Sequence, residues 1–227
     1  MLRIDPPDWN EPSVVPDLTL GKRCARLDLR LDEGRRRFEP LLADADILVH
    51  GYRPGALEGL GLDETVRRAL NPGLIDVSLC AWGWSGPWSG RRGFNSLVQM
   101  STGIAKTGMR WKSADRPVPL PVQAIDHATG YFMVAAALRG LTVRLRDKTA
   151  ITARLSLART AAALTGSGEA TAGQAFAGMS EADYDQNIEQ TPWGPGRRLR
   201  PPVTVGNVTP RWHRPASELG SAHALWT

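Results

Sequence analysis

The stretch that decides the fold is ADILVHGYRPGALEGLGLDETVRRALNPGLIDVSL, residues 45–79. ADILVH (45–50) is a short continuous apolar run, typical of a strand covered on both faces. DETVRRAL (63–70) carries acids in its first turn and is followed by Asn-Pro, which predicts a short helix. LIDVSL (74–79) predicts a second buried strand. Strand, helix and strand in this order predict a parallel sheet with right-handed crossovers.

The same alternation continues on both sides of this stretch. It predicts strands over 25–29 and 150–157. It predicts helices over 31–45, within 96–108 up to its glycines, from Tyr131 to about Val143, and through 160–164. The fold class is therefore α/β, a parallel sheet flanked by helices, with one domain over residues 1–165. Outside these elements we expect an extended surface segment up to Leu20, a short surface helix over 180–190, and a linker with an extended Pro- and Arg-rich tail over 166–227.

Composition narrows the possible partners. The longest apolar run, Tyr131–Leu138, is far shorter than the roughly 20 residues that cross a bilayer, so no membrane partner is predicted. The first residues lack a secretory pattern, and we expect a cytoplasmic protein. Cys24 and Cys80 have neither disulfide nor zinc spacing and are interpreted as buried thiols, so no metal is predicted. The 28 Lys+Arg against 23 Asp+Glu favour an anionic partner, but no nucleic-acid motif is present.

No nucleotide-binding or hydrolase motif accounts for the arginines. The chain has no GxxxxGK[ST], no GxGxxG after a strand and no GxSxG. Side chains at strand ends, where parallel sheets bind ligands, would therefore have to hold a phosphate. Guanidinium groups suit that role, although each residue could equally be a solvated surface group. The candidates are Lys22, Arg23, Arg30 and Arg53.

Asp126 is the most unusual acid of the chain. It lies in PVQAIDHATGYFMVAAAL (121–138), where a loop that contains proline is followed by an apolar run. It has no acidic neighbour within ten residues on its own element, which disfavours glycoside chemistry. From the residues alone, the simpler interpretation is a helix N-cap or a first-turn acid.

Four blocks in order resemble the family III CoA-transferases, which include formyl-CoA transferase, carnitine-CoA transferases and 2-methylacyl-CoA racemases. The blocks are ADILVHGYRPG, NPGLIDVSLCAWGWSGP, GFNSLVQMSTG and IDHATG, and they resemble the family's ADVLVENFRPG, NPRLIYVSISGFGQTGP, GYDLIAQAMSG and GDxxTG. GKRCARLDLR adds a fifth, like GKRSxxLDLK, and the match runs from about residue 2 to about residue 165. The resemblance implies a Rossmann-like domain and a coenzyme A thioester substrate.

The resemblance also implies functional residues. Asp126 falls on the nucleophilic aspartate of the family, which would relay CoA from an acyl-CoA to a carboxylic acid acceptor through a covalent aspartyl intermediate. The CoA-binding positions of the family are matched less well in this sequence. Gly51 replaces an Asn of the family pattern, Phe94 replaces a Tyr, and Asn95 replaces an acid. The residues implied to bind CoA are Leu27, Arg30, Gly51, Tyr52, Arg53, Arg92, Phe94 and Asn95.

Departures from the family pattern leave alternatives open. The racemase branch uses a His where Phe94 stands, so a two-base racemase is disfavoured. Family members begin with a strand and helix that this sequence lacks, and their long middle domain is missing or reduced here. The family forms interlocked dimers, so we expect a homodimer or a hetero-complex with a complementing chain. The alternatives to a CoA-transferase are therefore a non-catalytic or partner-dependent CoA-binding half and, less favoured, a racemase or a basic nucleic-acid binder.

Overall fold

The computed structural model describes residues 1–168 and 177–226. The chain divides into two compact units, Met1–Leu41 with Ala172–Thr227, and Leu42–Thr171. The predicted α/β class is confirmed. In chain order the elements are β1 (Leu2–Asp5), α1 (Val15–Thr19), β2 (Arg23–Arg26), α2 (Asp32–Ala43), β3 (Ile47–His50), α3 (Glu64–Leu70), β4 (Ile75–Cys80), α4 (Asn95–Ser101), α5 (Ile104–Trp111), α6 (Ala124–Asp147), β5 (Thr152–Ser156), α7 (Leu157–Gly166), β6 (Glu189–Thr191) and β7 (Gly194–Gly196).

The second unit is built on the predicted parallel sheet, with strand order β3-β4-β5. The central strand β4 is covered on both faces, and Ile75 and Val77 have no exposed surface. β3 differs from the prediction of a fully covered strand, because Val49 is 52% exposed. The N–H of Ile75 donates to the carbonyl of Asp46 at 3.1 Å. This register turns the backbone polar groups of Ile47 and Val49 away from β4, toward the other edge of β3.

A buried charge cluster joins α3 to this sheet. Asp63, expected in the first turn of the helix, is its N-cap, because its side chain accepts from the Val66 N–H at 2.9 Å. Arg67 then reaches Asp76 on β4, with 2.7 Å between the guanidinium and the carboxylate. His50 approaches the other oxygen of Asp76, at 3.3 Å from Nε2. These partners explain how a carboxylate is accommodated in the most buried strand.

The long helix α6 crosses the same sheet. It begins at Ala124 and ends at Asp147, so the prediction of a start at Tyr131 was seven residues late. Gly140 allows its close approach, because an added Cβ would lie 2.5 Å from Cγ2 of Ile75. The helix predicted within 96–108 up to its glycines is α4, and a further helix, α5, begins after Gly103, which adopts a left-handed φ of +86°.

The first unit contains the clearest wrong prediction. Residues up to Leu20, expected to be an extended surface segment, form β1 and α1, and β1 pairs in parallel with β2. The strand predicted over 25–29 is shifted to Arg23–Arg26. The predicted helix over 180–190 is only a 3-10 turn at Glu181–Asp183, followed by the β6–β7 hairpin.

Two sequence expectations concern parts that are described incompletely or not at all. Residues 169–176 of the predicted linker lie outside the described residues. Among the helices that are described, none combines the length and the apolar character required to cross a membrane.

Candidate active site

Asp126 lies in the first turn of α6. Gln123 occupies the N-cap position and its side chain makes no capping hydrogen bond. Of the two structural roles expected for Asp126, the structure therefore shows a first-turn acid and not a cap. Within residues 42–168, no hydrogen bond reaches its carboxylate, and His127 is the residue whose charge acts on it. Within this part of the chain, the carboxylate oxygens therefore keep their capacity to accept a hydrogen bond.

The surroundings of Asp126 perturb its ionisation. The side chain is partly buried, and this burial raises the pKa of the carboxyl above its ordinary value, while His127 partly opposes the shift. A helix N-terminus normally has the opposite effect, because it stabilises the ionised form. An acid with a raised pKa beside a loop is a candidate functional group, since its carboxylate is more basic and more nucleophilic than a solvated one.

A chain of buried amides holds the loop that leads into Asp126. The Gln99 side chain accepts from the Leu120 N–H at 2.7 Å and donates to the Asn95 side chain at 3.3 Å. Asn95 in turn donates to the Val122 carbonyl at 3.2 Å. We call Asn95 and Gln99 the amide clamp; both side chains are buried on α4.

The amide clamp holds a strained backbone. Val122 has φ +52°, a left-handed conformation that a β-branched residue rarely adopts. Such strain persists only where neighbouring contacts determine the conformation, and it is concentrated at functional sites. Asn95 suits this role better than the acid of the family pattern, because a carboxylate cannot donate to the Val122 carbonyl.

Apolar and hydroxyl contacts with α4 and α7 hold the start of α6 in place. Ile125, next to the candidate nucleophile, is completely buried in a cluster with Val98 of α4 and Leu157 of α7. One turn later, the Thr129 hydroxyl lies 2.7 Å from the Thr160 hydroxyl of α7. Asp126 is thereby held on a rigid element.

The loop after β3 carries three of the residues expected to bind CoA. Gly51, Tyr52 and Arg53 are all exposed. The Tyr52 ring stacks near His50, with 6.5 Å between ring centroids and 25° between ring planes. The strand-end position of the loop agrees with the expectation for a ligand-binding segment of a parallel sheet.

Trp84, in the loop after β4, lines a cleft together with Tyr52 and Arg53. The cleft measures only about 10 Å³, which is room for one water molecule. The Trp84 indole N–H donates to the Leu155 carbonyl at 3.1 Å, and the Arg154 guanidinium lies 5.4 Å from the ring centroid. The second unit therefore brings the loops after neighbouring strands together without an open pocket between them.

The segment Arg92–Asn95 lies against the end of β4. The Arg92 carbonyl accepts from the Trp82 indole at 3.0 Å, while its side chain is exposed. An added Cβ at Gly93 would lie 2.6 Å from Cβ of Ala81, so the segment packs without room for a side chain there. Phe94 is 74% exposed and carries no acid or base. Asn95 is the member of this segment that contacts the Asp126 loop.

Leu27 and Arg30 belong to the first unit. Leu27 is buried, and its N–H donates to the Asp5 carbonyl at 3.0 Å. Arg30 binds two carboxylates, Asp28 at 2.8 Å and Asp8 at 3.1 Å. These hydrogen bonds raise the pKa of Arg30 and lower the pKa of Asp28. A phosphate that bound Arg30 would therefore have to compete with Asp28 and Asp8.

The two remaining phosphate candidates also have protein partners in the first unit. Lys22 donates to the Leu20 carbonyl at 3.4 Å, and burial followed by the charge of Arg3 lowers its pKa. Arg23 donates to the Leu225 carbonyl. Both cationic side chains therefore already donate hydrogen bonds to backbone carbonyl groups.

Sequence reasoning missed Gln99 and Trp84. Gln99 is buried on α4 beside the apolar Val98, and a polar residue at such a position indicates a specific hydrogen-bond partner. Its partner is twenty-one residues away and could not be named from the sequence. Trp84 lies just after the end of a strand, a position that favours ligand binding more strongly than that of Gln99. The loop contains three tryptophans, however, and the sequence did not distinguish Trp84 from the other two.

A family model and curated relatives match this chain. The model described as CoA-transferase family III matches residues 3–191. The chain is 33% identical over 127 residues to the probable fatty acyl-CoA transferase Rv3272 of Mycobacterium tuberculosis, covering 56% of this chain and 32% of that protein. It is 35% identical over 130 residues to the succinyl-CoA–L-malate CoA-transferase beta subunit of Chloroflexus aurantiacus, covering 57% of this chain and 31% of that protein.

A solved structure shows the same fold. The crystal structure of Rv3272 from M. tuberculosis matches with a TM-score of 0.66 at 27% sequence identity. The match covers 73% of this chain and 48% of that one. The chain thus spans about a third of the length of these curated relatives and about half of the solved chain.

Proposed function

Because this chain belongs to CoA-transferase family III, we propose that it transfers CoA between an acyl-CoA and a carboxylic acid, with Asp126 as the nucleophile. The observation that carries this proposal is the state of Asp126. Its carboxylate is partly buried, has a raised pKa and lies at the start of a helix whose preceding loop is held by the amide clamp.

The chemistry begins when an Asp126 oxygen attacks the thioester carbonyl. The new C–O bond replaces the C–S bond, which gives a mixed anhydride and a CoA thiolate. The thiolate then attacks the Asp126 carbonyl carbon, forming an aspartyl-CoA thioester and releasing the donor acid. The acceptor carboxylate then attacks the aspartyl-CoA thioester, which gives a second mixed anhydride and releases the CoA thiolate. The thiolate attacks the acyl carbon of the acceptor, so the acceptor leaves as its CoA thioester and the Asp126 carboxylate is restored. The unpaired backbone N–H groups at the start of α6 could stabilise each oxyanion.

The proposal keeps the CoA-binding residues that the family resemblance implies, and each unit is considered by itself. In the first unit, Leu27 would offer an apolar contact and Arg30 a guanidinium for a phosphate. In the second unit, Gly51, Tyr52 and Arg53 would contribute the exposed strand-end loop. Arg92, Phe94 and Asn95 complete the set, Asn95 by positioning the Asp126 loop and not by charge. Racemisation needs a second acid or base, and Phe94 supplies none.

Trapping the covalent intermediate tests the proposal. The protein is incubated with acetyl-CoA or succinyl-CoA, treated with hydroxylamine and analysed by peptide mass spectrometry. Hydroxylamine converts an aspartyl thioester into a hydroxamate, so we expect this modification at Asp126. Asp115→Asn, which removes an exposed carboxylate from the preceding loop, should leave the modification intact, whereas Asp126→Asn should abolish it. An unmodified Asp126 with several acyl-CoAs would count against the nucleophile.

A specific observation also favours the partner-dependent half as a second candidate. Within the described residues of the second unit, β3 pairs only with β4, so the backbone groups of Ile47 and Val49 face an unpaired edge there, and Val49 exposes half of its side chain. An apolar strand with an unpaired edge is a site where another strand can add. One relative is itself named as the beta subunit of a transferase.

The two candidates differ in the CoA affinity of the isolated chain. If this chain is a half that needs a complementing chain, calorimetry with CoA should give no binding for the purified protein. Saturable binding of CoA by the chain alone would exclude this second candidate. Asp126→Ala is the matched variant, because the nucleophile is not expected to contribute to CoA affinity.

A further inference from the structure

Lys22 differs in its surroundings from the other three lysines of the chain. Lys106, Lys112 and Lys148 are exposed, whereas Lys22 is partly buried where the chain enters β2. Burial disfavours the charged form of an amine, and it is the main cause that lowers the pKa of Lys22 below its ordinary value. The residue still contacts solvent, so a dissolved reagent can reach it.

The ammonium group of Lys22 has few partners within the protein. It carries three N–H donors. One of them reaches the Leu20 carbonyl at 3.4 Å, which is longer than an ordinary N–H···O hydrogen bond. Among the described residues, 1–168 and 177–226, Lys22 forms no ion pair with a carboxylate. The charged form of this amine therefore gains little from the groups around it.

Arg3 on β1 makes the position still less favourable for a second cation. Its charge repels the ammonium group and adds to the effect of burial on the pKa of Lys22, while the Cys24 thiol of β2 acts weakly in the opposite direction. Asp5, on the same strand as Arg3, does not compensate, because Arg3 binds both of its oxygens, at 2.7 Å from Nε and 2.8 Å from Nη2. Lys22 thus lies beside a cation whose carboxylate partner is already engaged.

An amine that is partly removed from water and lies next to another cation is a nucleophile at neutral pH, because more of it is unprotonated. We propose that Lys22 is an acylation site of this chain, where its amine takes the acyl group of an acyl-CoA. The unprotonated Nζ attacks the thioester carbonyl, and the C–N bond forms as the C–S bond breaks. The nitrogen releases a proton to solvent, and CoA leaves as its thiolate.

The product of this reaction is more compatible with the site than the free amine. The amide is neutral, so it ends the repulsion between Lys22 and Arg3 and needs no counter-ion. A phosphate ligand, the role expected for Lys22 from the sequence, has the opposite requirement, because it needs the charged amine. The step rests on the proposed function for its reagent, since the acyl-CoA is the thioester that Asp126 is proposed to attack.

Peptide mass spectrometry after incubation of the full chain with acetyl-CoA tests the proposal. Lys106, Lys112 and Lys148 are exposed internal controls in the same sample. At about pH 7, Lys22 should be acetylated at least about threefold faster than these lysines, because the unprotonated fraction of an amine rises about tenfold for each unit by which its pKa is lowered. The ratio of the rates should fall as the pH is raised to about 9.5, since the exposed lysines then also lose protons.

Substitutions of the neighbouring cation test the cause. Arg3→Gln removes the repelling charge and releases the Asp5 carboxylate, so acetylation of Lys22 should slow toward the rate of the exposed lysines. The matched control Arg37→Gln removes an exposed cation of α2 and should leave the rate at Lys22 unaltered. Because Arg3 also binds the buried Asp5, the double variant Arg3→Gln, Asp5→Asn replaces the ion pair by two amides and repeats the test if the single variant does not fold.

The outcomes separate this inference from the proposed function. Acetylation of Lys22 that is no faster than that of the exposed lysines at about pH 7, or a ratio of rates that does not change with pH, would overturn the acylation site. A hydroxamate at Asp126 with Lys22 unmodified would also count against the acylation site and leave the proposed function intact. Selective acetylation of Lys22 without a hydroxamate at Asp126 would support the site and count against the nucleophile.

Discussion

Replacing Gln99 by Leu should release the loop that carries Asp126. The Gln99 side chain accepts from the Leu120 N–H and donates to Asn95, which holds the Val122 carbonyl. Leucine has a similar volume, so the substitution removes both hydrogen bonds without creating a large cavity. Asn95, which donates to the carbonyl of the strained Val122, would then lose the partner that holds its own side chain.

The expected size follows from the two lost hydrogen bonds. Each contributes about 0.5–1.5 kcal/mol net, so the loop should be destabilised by about 1–3 kcal/mol. The Leu120 amide is itself one of the donors, and its hydrogen exchange reports the local opening directly. Exchange at this amide should therefore accelerate by about 5- to 150-fold, because about 1.4 kcal/mol corresponds to a factor of ten.

Two comparisons make the reasoning refutable. Met100→Leu changes the next residue of α4, which is half-exposed, and should leave the exchange of Leu120 unaltered. Asn95→Ala combined with Gln99→Leu should be less than additive, with a coupling of at least about 0.5 kcal/mol, because the two amides contact each other. Exchange at Leu120 within twofold of wild type in Gln99→Leu, or full additivity, would refute the amide clamp.

Two further substitutions have expected outcomes. Gly140→Ala forces a Cβ to within 2.5 Å of Ile75 and should lower the free energy of unfolding by about 1–3 kcal/mol in urea. Gly130→Ala, in the same helix with no atom within 4 Å, should stabilise, and equal effects would contradict the packing argument. Because burial raises the pKa of Asp126, the folded state holds its proton more tightly than the unfolded chain. The free energy of unfolding therefore falls as the pH rises from the ordinary pKa of the unfolded chain through the raised pKa of the folded state. Asp126→Asn should therefore raise the melting temperature at pH 7 but not below about pH 3, and a lower melting temperature at pH 7 would contradict this.

The fold was predictable where local chemistry and hydrophobic pattern agree. The stretch 63–70 has an acidic cap, acids in its first turn and a following Asn-Pro, and it forms α3 within one residue of the prediction. The buried run 74–79 likewise forms β4, the central strand. β1 was missed because Pro6 and Pro7 directly follow it, and a four-residue strand gains its stability from the β2 ladder, which is not local.

The sequence predicted those features of the candidate site that depend on local position along the chain. Asp126 could be placed at the start of a helix because a loop meets an apolar run there. The sequence did not show that α6 begins before Asp126, since the first turn has no capping side chain to mark it. The link from Asn95 to the Val122 carbonyl spans 27 positions and depends on how α4 packs beside that loop. Long-range hydrogen bonds of this kind come from tertiary structure and leave no local pattern.

The two interpretations of Asp126, a helix-stabilising acid and a nucleophile, differ in the pKa that each would favour. An acid placed only to stabilise a helix start would gain from the N-terminal dipole and would have a lowered pKa. Asp126 has a raised pKa, because the effect of its burial is larger than that of His127, and its carboxylate receives no hydrogen bond within residues 42–168. At neutral pH this acid therefore destabilises the folded state that contains it. A raised pKa is not what helix stabilisation alone would favour, whereas the nucleophile that we propose would gain from a carboxylate that is poorly solvated and basic.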